Sequence, residues 1–217
     1  MARKCLGIWT SFLVSPSEGL NLEYALAILG GYLLGSIPFG LLLTRAAGLG
    51  DIRNVGSGNI GATNVLRTGR KDIAIATLLL DAAKAAVALI LARNYYGGDL
   101  GLVAGAAALL GHCFPVWLKF KGGKGVATFF GTLLVGIWPV GVLGGLLWLA
   151  TAFTFRFSSL AALVACAAAP LIALVFHVGP IGIGAIACMS AMVWYRHRDN
   201  LARLIAGEEP KIGGSKA

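Results

Sequence analysis

Residues 126–155 read VATFFGTLLVGIWPVGVLGGLLWLATAFTF, an uncharged run that determines how often the chain crosses a membrane. A single membrane-spanning helix needs about 17–25 apolar residues, and this run is longer. Trp138 and Pro139 stand near its middle, and a proline ends or kinks a helix at the preceding residue. We therefore predict two membrane-spanning helices here, separated at Trp138-Pro139.

The whole chain shares this apolar character. Of its 217 residues, 58% are hydrophobic and 12% are charged, whereas an average soluble domain is roughly half apolar and about a quarter charged. So few charges cannot cover a soluble surface. The composition therefore argues against a soluble globular protein, a disordered protein and a nucleic-acid-binding domain, despite the net charge of +9. We expect membrane lipids as partners, and no nucleic acid.

Other apolar runs have the length of membrane-spanning helices. They occupy residues 24–44, 73–92, 100–118, 158–176 and 181–195. Together with the divided run, they predict an all-α integral membrane protein with about seven transmembrane helices.

The distribution of Lys and Arg predicts the orientation, because these residues concentrate in short cytoplasmic loops. With seven spans and a cytoplasmic C-terminus, the entire net charge of +9 falls on the cytoplasmic side, chiefly in residues 45–72, 119–125 and 196–211. We therefore expect the N-terminus outside, the C-terminus in the cytoplasm and glycine-rich loops facing the cytoplasm. A cationic surface of this kind also attracts anions.

Residues 1–21 differ from the remainder. Arg3 and Lys4 precede a short apolar run, residues 6–14, that cannot span a bilayer. The run is either part of a leader without function or the core of a signal peptide. We treat residues 1–21 as an N-terminal leader or extension, and residues 22–217 as a single transmembrane domain.

The cysteines and histidines predict no metal site. Neither a C-x-x-C pair nor a zinc-type spacing occurs. The residues concerned are Cys5, Cys113, Cys166, Cys188, His112, His177 and His197. We expect free thiols, no metal and no cofactor.

The first of three polar segments, residues 53–67, reads RNVGSGNIGATNVLR. Its glycines permit tight turns and a close approach to a ligand. A helix starting near Ala62 would direct free N–H groups at an anion, and Arg67 could add a bidentate contact to phosphate. The G-x-G-x-x-G spacing matches the dinucleotide fingerprint, but a transmembrane helix follows instead of a βαβ unit. The segment therefore predicts phosphate binding without a nucleotide.

The second polar segment, residues 111–128, reads GHCFPVWLKFKGGKGVAT. Residues 121–125 form a cationic glycine loop that leads into a helix. This loop is not a Walker motif, because Leu118 occupies the place of the first glycine. Its lysines either bind phosphate as point charges or only set the orientation of a flexible cytoplasmic loop.

The third polar segment, residues 196–203, reads RHRDNLAR and follows the last span. If the helix continues, Arg196, Asn200 and Arg203 share one face. A collar of cations at the membrane surface would need neither His197 nor Asn200, which favours a functional site. An ordinary histidine titrates near neutrality, so His197 could accept a proton.

Two smaller features lie within predicted spans. Asp81 and Lys84 are three residues apart, and charges inside a membrane are costly and usually paired or functional. Either a structural ion pair or a direct role fits them. The run Gly35–Gly40 contains Pro38 and breaks the first helix.

These segments together resemble the bacterial acylphosphate–glycerol-3-phosphate acyltransferases, the PlsY family. The resemblance rests on Gly35–Gly40, the run SGNIGATN at 57–64, the run ending FKGGKGVAT at 128, and RHRDNLAR at 196–203. It covers roughly residues 24 to 211. Two departures lie outside the motifs: Ala85 follows Lys84 where the family often has glycine, and residues 1–21 have no counterpart.

The resemblance implies an enzyme that transfers an acyl chain from acyl phosphate to the sn-1 hydroxyl of glycerol 3-phosphate, releasing lysophosphatidic acid and inorganic phosphate. It implies a monomeric, multi-pass protein of the bacterial inner membrane whose active site faces the cytoplasm. Candidate catalytic residues are Ser57, Lys124, His197 and Asn200. Candidate substrate- and phosphate-binding residues are Gly58, Asn59, Gly61, Ala62, Thr63, Asn64, Arg67, His112, Lys121, Gly122, Gly123, Gly125, Arg196, Arg198 and Arg203.

The chemistry of the three segments is consistent with this reaction. Acyl phosphate carries a good leaving group, so positioning and electrostatic stabilisation suffice without an acyl-enzyme. The general base is either His197 or the phosphate of a bound substrate, and we favour the phosphate. Ser57 has no nearby histidine in the sequence to activate it as a nucleophile. The alternative function is a transporter or channel for phosphate esters, in which the basic loops would form a gate.

Overall fold

The computed structural model describes residues 22–213, so the leader or extension at 1–21 lies outside the described residues. Between residues 22 and 213 the regular structure is helical throughout, which confirms the all-α prediction. The helices are α1 (Leu22–Gly35), α2 (Phe39–Ala46), α3 (Ala62–Val65), α4 (Lys71–Tyr96), α5 (Gly98–Cys113), α6 (Val126–Gly136), α7 (Trp138–Phe155), α8 (Ser158–Val175), α9 (Pro180–Arg196) and α10 (Arg198–Ala206).

Several helices are long and apolar enough to cross a membrane. Within residues 22–213 there are 5 such segments, namely Leu22–Ala46, Lys71–Tyr96, Gly98–Leu118, Trp138–Phe155 and Ser158–Val175. Two helices fall below that length, α6 with 11 residues and α9 with 17. The chain is therefore a multi-pass membrane protein.

The helix breaks occur where the local sequence predicts them. Ile137 separates α6 from α7 with φ −146° and ψ 77°, and Pro139 stands in the first turn of α7. A proline fits there because the first helical N–H groups have no intrahelical partner. Pro38 likewise precedes α2 after α1 ends at Gly35.

Small residues allow the helices to pack closely, which is typical of membrane proteins. A Cβ atom at Gly31 would lie 2.3 Å from the carbonyl oxygen of Ala104, and one at Gly35 would lie 1.9 Å from that of Ala108. Gly131 of α6 approaches the carbonyl oxygen of Ala82 in α4 in the same way, at 2.2 Å. These contacts hold α1, α4, α5 and α6 together beneath the polar segments.

The polar segments share one end of the bundle. Successive helices from α4 to α9 pack side by side and are joined by single residues or short turns, except for the longer polar segment between α5 and α6, so the chain alternates direction. The loops before α3, before α6 and after α9 therefore lie together. The C-terminal segment returns to the same end, where the Ile212 amide donates to the carbonyl oxygen of Arg156 at 2.7 Å.

Candidate active site

The glycine loop before α4 is organised around the side chain of Asn64. This side chain is 1% exposed, and its amide nitrogen lies 2.8–3.1 Å from the carbonyl oxygens of Asn59, Val55 and Ile52. Its Oδ1 accepts from the backbone amide of Ser57 at 3.0 Å and from the hydroxyl at 3.2 Å. Asn64 was a candidate ligand, but its hydrogen-bonding capacity is used to hold the loop in shape.

Two glycines of this loop have a conformation that other residues rarely adopt. Gly56 and Gly58 have φ values of 56° and 69°. A Cβ at Gly56 would also lie 2.8 Å from Cδ of Arg67, so the exposed Arg67 side chain rests against the turn. The predicted helix does begin at Ala62, but it is a single turn, Ala62–Val65, followed by a short 3-10 turn.

The second glycine loop folds tightly onto the end of α5. The amides of Gly122 and Gly123 donate to the carbonyl oxygens of Cys113 and His112 at 3.1 and 3.0 Å. A Cβ at Gly123 would lie 2.0 Å from Nε2 of His112, so no side chain fits at this position. Gly125 has φ 85° and turns the chain into α6. The glycines thus place Lys124 at a defined position above the bundle.

The expectation that the last helix continues through the third polar segment is wrong at one residue. His197 interrupts it with φ −103° and ψ 8°, and α10 starts at Arg198. The backbone amide of His197 is shared between the carbonyl oxygens of Val193 and Trp194, which tightens the turn. Arg196, the last residue of α9, faces the second glycine loop. Its guanidinium donates to the carbonyl oxygens of Gly122 and Gly123, each at 2.9 Å.

A cluster of hydrogen bonds joins the second and third segments to the C-terminal segment, and we call it the Glu209 cluster. Lys124 Nζ donates to Oδ1 of Asn200. Glu209 accepts from Nδ2 of Asn200 at 2.6 Å, from Oγ of Ser159 at 2.7 Å and from Nε of Arg203 at 2.8 Å. Glu209 and Ser159 were not identified from the sequence. The sequence feature that could have indicated Glu209 is its position as an acidic residue shortly after the cationic segment 196–203.

Burial and neighbouring charge change the acid–base properties of this cluster. Burial, with help from the positive charge of Arg203, lowers the pKa of Lys124 to about 8, although Glu209 acts in the opposite direction. Burial lowers the pKa of His197 to about 4. Burial alone would raise the pKa of Glu209, but its three hydrogen bonds outweigh that effect and lower it. At neutral pH, Lys124 is therefore mostly cationic, His197 neutral and Glu209 ionised.

The two glycine loops adjoin each other through apolar side chains. Leu118, just before the second loop, packs against Ile52, Ile60 and Val65 around the first loop. Trp117 donates from its indole nitrogen to the carbonyl oxygen of Ser36 at 2.6 Å. All three polar segments thus meet at one surface of the bundle, as the sequence predicts.

Some candidate residues lie outside this arrangement. Arg198 is exposed and stacks 4.7 Å above the ring of Tyr195, and Lys121 is exposed at the edge of its loop. His112 is 4% exposed and lies beneath Gly123, where Lys84 Nζ is 2.9 Å from its Nδ1. Lys84 also forms an ion pair with Asp81, at 2.7 Å, which is one of the two roles that the sequence left open. Within residues 22–213, no three His, Cys, Asp or Glu side chains are grouped closely enough to hold a metal ion.

Comparison with known sequences supports one family. The model of the family described as glycerol-3-phosphate acyltransferase matches residues 25–207. A glycerol-3-phosphate acyltransferase of Caulobacter vibrioides is 59% identical over 197 residues, which cover 90% of each chain. One from Paramagnetospirillum magneticum is 61% identical over 195 residues, covering 90% of this chain and 96% of the relative.

Solved structures give the same result. The fold matches a crystal structure of PlsY, described as an integral membrane glycerol 3-phosphate acyltransferase in its glycerol 3-phosphate form, with a TM-score of 0.83 and 36% identity. The match covers 88% of this chain and 96% of that one. The lysophosphatidic acid form of PlsY matches with a TM-score of 0.81 and 34% identity. The chain therefore belongs to the glycerol-3-phosphate acyltransferases of the PlsY family.

Proposed function

We propose that the chain transfers an acyl group from acyl phosphate to the sn-1 hydroxyl of glycerol 3-phosphate, forming lysophosphatidic acid and inorganic phosphate. The family membership supports acylation of glycerol 3-phosphate. Related PlsY structures are described as a glycerol 3-phosphate form and a lysophosphatidic acid form, which are a substrate and a product of this reaction.

The observation that carries the proposal is the position of Lys124 in the Glu209 cluster. Asn200 holds the ammonium group, and Gly122 and Gly123 pack the loop against the end of α5, which fixes the backbone that carries Lys124. Arg203 lies in the same cluster, and Arg67 rests on the neighbouring loop. Both proposed substrates carry phosphate, and cations in a partly buried site stabilise such anions more strongly than they do in water.

Each polar segment has a role in this proposal. The first loop binds phosphate through the backbone and short side chains of residues 57–63, together with Arg67. The second loop places Lys124 beside the leaving phosphate, with Lys121 at its rim. In the third, His197 positions the substrates, Asn200 holds Lys124, and Arg196 holds the second loop through Gly122 and Gly123.

The reaction requires no covalent enzyme intermediate. The sn-1 oxygen attacks the carbonyl carbon of acyl phosphate, the bond from that carbon to the phosphate oxygen breaks, and phosphate leaves with the proton of the hydroxyl. Ser57 is a poor nucleophile, because its hydroxyl and its backbone amide both contact Oδ1 of Asn64. Holding both substrates in place can supply about 7–11 kcal/mol of the acceleration.

The substrate phosphate is the best candidate for the base. His197 has a pKa of about 4 and its Nδ1 lies 2.8 Å from the carbonyl oxygen of Val193, so its free Nε2 is a weak base. Glu209 also has a lowered pKa and accepts three hydrogen bonds within its cluster. Neither side chain is as well suited as a phosphate dianion next to the attacking hydroxyl.

The membrane topology is part of the proposal. We place seven spans in the bilayer, counting α6 and α9, with the polar segments and the C-terminus in the cytoplasm of a bacterial cell and the N-terminus outside. The cationic segments then face the inner leaflet, as the positive-inside rule requires. The acyl chain enters laterally from the bilayer, and a monomer contains every residue of the proposed site.

Phosphate release tests the proposal. Purified protein in lipid vesicles is supplied with palmitoyl phosphate, with and without glycerol 3-phosphate. We expect release that depends on glycerol 3-phosphate and yields lysophosphatidic acid. Lys124→Ala should lose this activity, whereas Lys71→Ala, which removes an exposed lysine at the start of α4, should retain it. Uptake of glycerol 3-phosphate into vesicles without phosphate release would instead indicate a transporter.

A further inference from the structure

Three polar side chains form a buried network inside the bundle, below the second glycine loop. Asp81, Lys84 and His112 are 2%, 5% and 4% exposed. Lys84 Nζ lies 2.7 Å from Oδ1 of Asp81, 2.9 Å from Nδ1 of His112 and 2.8 Å from the carbonyl oxygen of Ile37. The network thus connects α4, α5 and the break between α1 and α2.

A simple structural ion pair would need fewer partners than this. Charges within a membrane protein are costly, and neutralising Lys84 requires only Asp81. Here the ammonium group also reaches a histidine on another helix and a carbonyl oxygen at a helix break. The arrangement therefore fixes the His112 ring as well as the charge.

The hydrogen-bonding capacity of lysine determines the tautomer of His112. An ammonium group has three donors and no acceptor, and Lys84 has three neighbours. Nδ1 of His112 lies 2.9 Å from Lys84 Nζ and 3.5 Å from Oδ1 of Asp81. The shorter contact is with a donor, so we assign Nδ1 as the acceptor and the ring proton to Nε2. His197 has the opposite tautomer, since its Nδ1 donates to the carbonyl oxygen of Val193 at 2.8 Å.

The other edge of the His112 ring supports the second glycine loop. A Cβ at Gly123 would lie 2.0 Å from Nε2, 2.8 Å from Cε1 and 2.9 Å from Cδ2 of this ring. The Gly123 amide also donates to the His112 carbonyl oxygen at 3.0 Å. The next residue is Lys124. A rotation of the ring would therefore displace the backbone immediately before the lysine of the proposed site.

We propose that Asp81 and Lys84 are positioning residues for acyl transfer: they hold His112 in the tautomer with its proton on Nε2, and the oriented ring holds the Gly122–Lys124 loop in place. This role rests on the proposed function for its effect on the reaction. The tautomer itself does not depend on that function.

Nitrogen NMR measures the tautomer directly. The chain has 3 histidines, so ¹⁵N-histidine labelling of the full-length protein in detergent gives few signals, and a His112→Gln spectrum assigns the one of interest. We expect His112 to be protonated on Nε2 alone, and His197 on Nδ1 alone as an internal contrast. A His112 ring protonated on Nδ1, or on both nitrogens, overturns the proposal. This measurement on the unaltered protein needs no variant to fold.

Two variants of α4 separate positioning from packing. Lys84→Met removes the donor while keeping the length of the side chain. Leu89→Ala is the control for lost packing. Leu89 lies five positions further along the same helix, and its side chain is 0% exposed. We expect both to lower thermal stability, but only Lys84→Met should change the His112 signal. The kcat/KM of Lys84→Met should fall about tenfold to a hundredfold, as expected for a displaced catalytic group.

The outcomes distinguish this inference from the proposed function. If Lys84→Met keeps kcat/KM within about twofold while the His112 tautomer changes, the network does not position the site. If Leu89→Ala changes the tautomer and the rate equally, the effect is general loss of packing and the inference fails. A protein with the expected tautomer but without acyl transfer would contradict the proposed function alone.

Discussion

Lys124 donates from its ammonium group to the side-chain oxygen of Asn200, 76 positions further along the chain. The other end of the Asn200 amide donates to Glu209 at 2.6 Å. Glu209 therefore sets the orientation of the amide, because a carboxylate accepts hydrogen bonds and cannot donate one when ionised. The amide then presents its oxygen to Lys124, and the three residues act as one unit.

The first prediction concerns this unit. If Asn200 acts by holding Lys124, removing either side chain should cost about as much as removing both, because residues in one network are not additive. We expect Lys124→Met and Asn200→Ala each to lower kcat/KM about a hundredfold or more. The double variant should lose little beyond the larger single effect. Initial rates of phosphate release at varied glycerol 3-phosphate give the three values.

A different result from these three variants would contradict the first prediction. If the fold-decrease of kcat/KM in the double variant equals the product of the two single decreases, Lys124 and Asn200 contact the substrates independently. Asn54→Ala is a suitable control, since Asn54 is an exposed asparagine in the first polar segment and outside the proposed site. It should leave the rate unchanged.

The second prediction concerns stability and pH. The folded pKa of Glu209 lies below the ordinary value of 4.5, so its ionised form stabilises the fold. This contribution is fully present above pH 4.5 and disappears as the pH falls through the lowered pKa of the folded state. Glu209→Gln should therefore be less stable than the unaltered protein at pH 7, and the difference should shrink in acid. Thermal unfolding in detergent at pH 7, 5, 4 and 3 measures it, with no change expected between pH 7 and 5.

Ser159 offers a check on the same prediction. It donates one of the hydrogen bonds that lower the pKa of Glu209, at 2.7 Å. Ser159→Ala should reproduce the pH trend of Glu209→Gln with a smaller amplitude. A stability difference that does not vary with pH would show that Glu209 is not ionised in the folded protein.

The sequence predicts this protein well where a local signal marks the structure. Pro139 predicts the break at Ile137, and Pro38 predicts the break after Gly35, because a proline cannot continue a preceding helix. The start of α3 at Ala62 and the convergence of the polar segments follow from glycine placement and charge distribution. Each of these signals lies within a few residues of the feature it predicts.

Contacts between distant segments could not be predicted in this way. Glu209 lies 50 positions from Ser159, and the chain must reverse at Gly207, which has φ 74°, before they meet. The break at His197 has no proline or glycine to mark it in the sequence. At this position the ring is buried and the backbone amide is shared between two carbonyl oxygens, and both features arise only in the folded chain. Asn64 resembles a ligand in the sequence, but its three carbonyl partners come from the folded loop.

The third prediction addresses the base. With a pKa of about 4, His197 remains neutral from pH 5.5 to pH 8, so it should cause no step in the pH profile of kcat/KM near 6.5. His197→Gln keeps a hydrogen-bonding group and should retain most of kcat, with the effect falling mainly on KM for glycerol 3-phosphate. An ionisation near pH 6.5 that is present in the unaltered enzyme and absent from His197→Gln would identify His197 as the base.

The last prediction concerns the first glycine loop. Asn64→Ala removes the side-chain donor to the carbonyl oxygens of Ile52, Val55 and Asn59. Those of Ile52 and Val55 keep a backbone amide donor, whereas that of Asn59 loses its side-chain donor, and an unsatisfied buried group costs about 1–3 kcal/mol. We expect a lower Tm and a large rise in KM, because the loop loses its shape before it meets phosphate. Ser57→Ala removes only one weak bond to Asn64, at 3.2 Å, and the Ser57 backbone amide still donates there. It should therefore cost much less stability than Asn64→Ala. Equal losses of Tm in the two variants would show that the Ser57 hydroxyl contributes as much to the loop as the whole Asn64 side chain, contrary to this prediction.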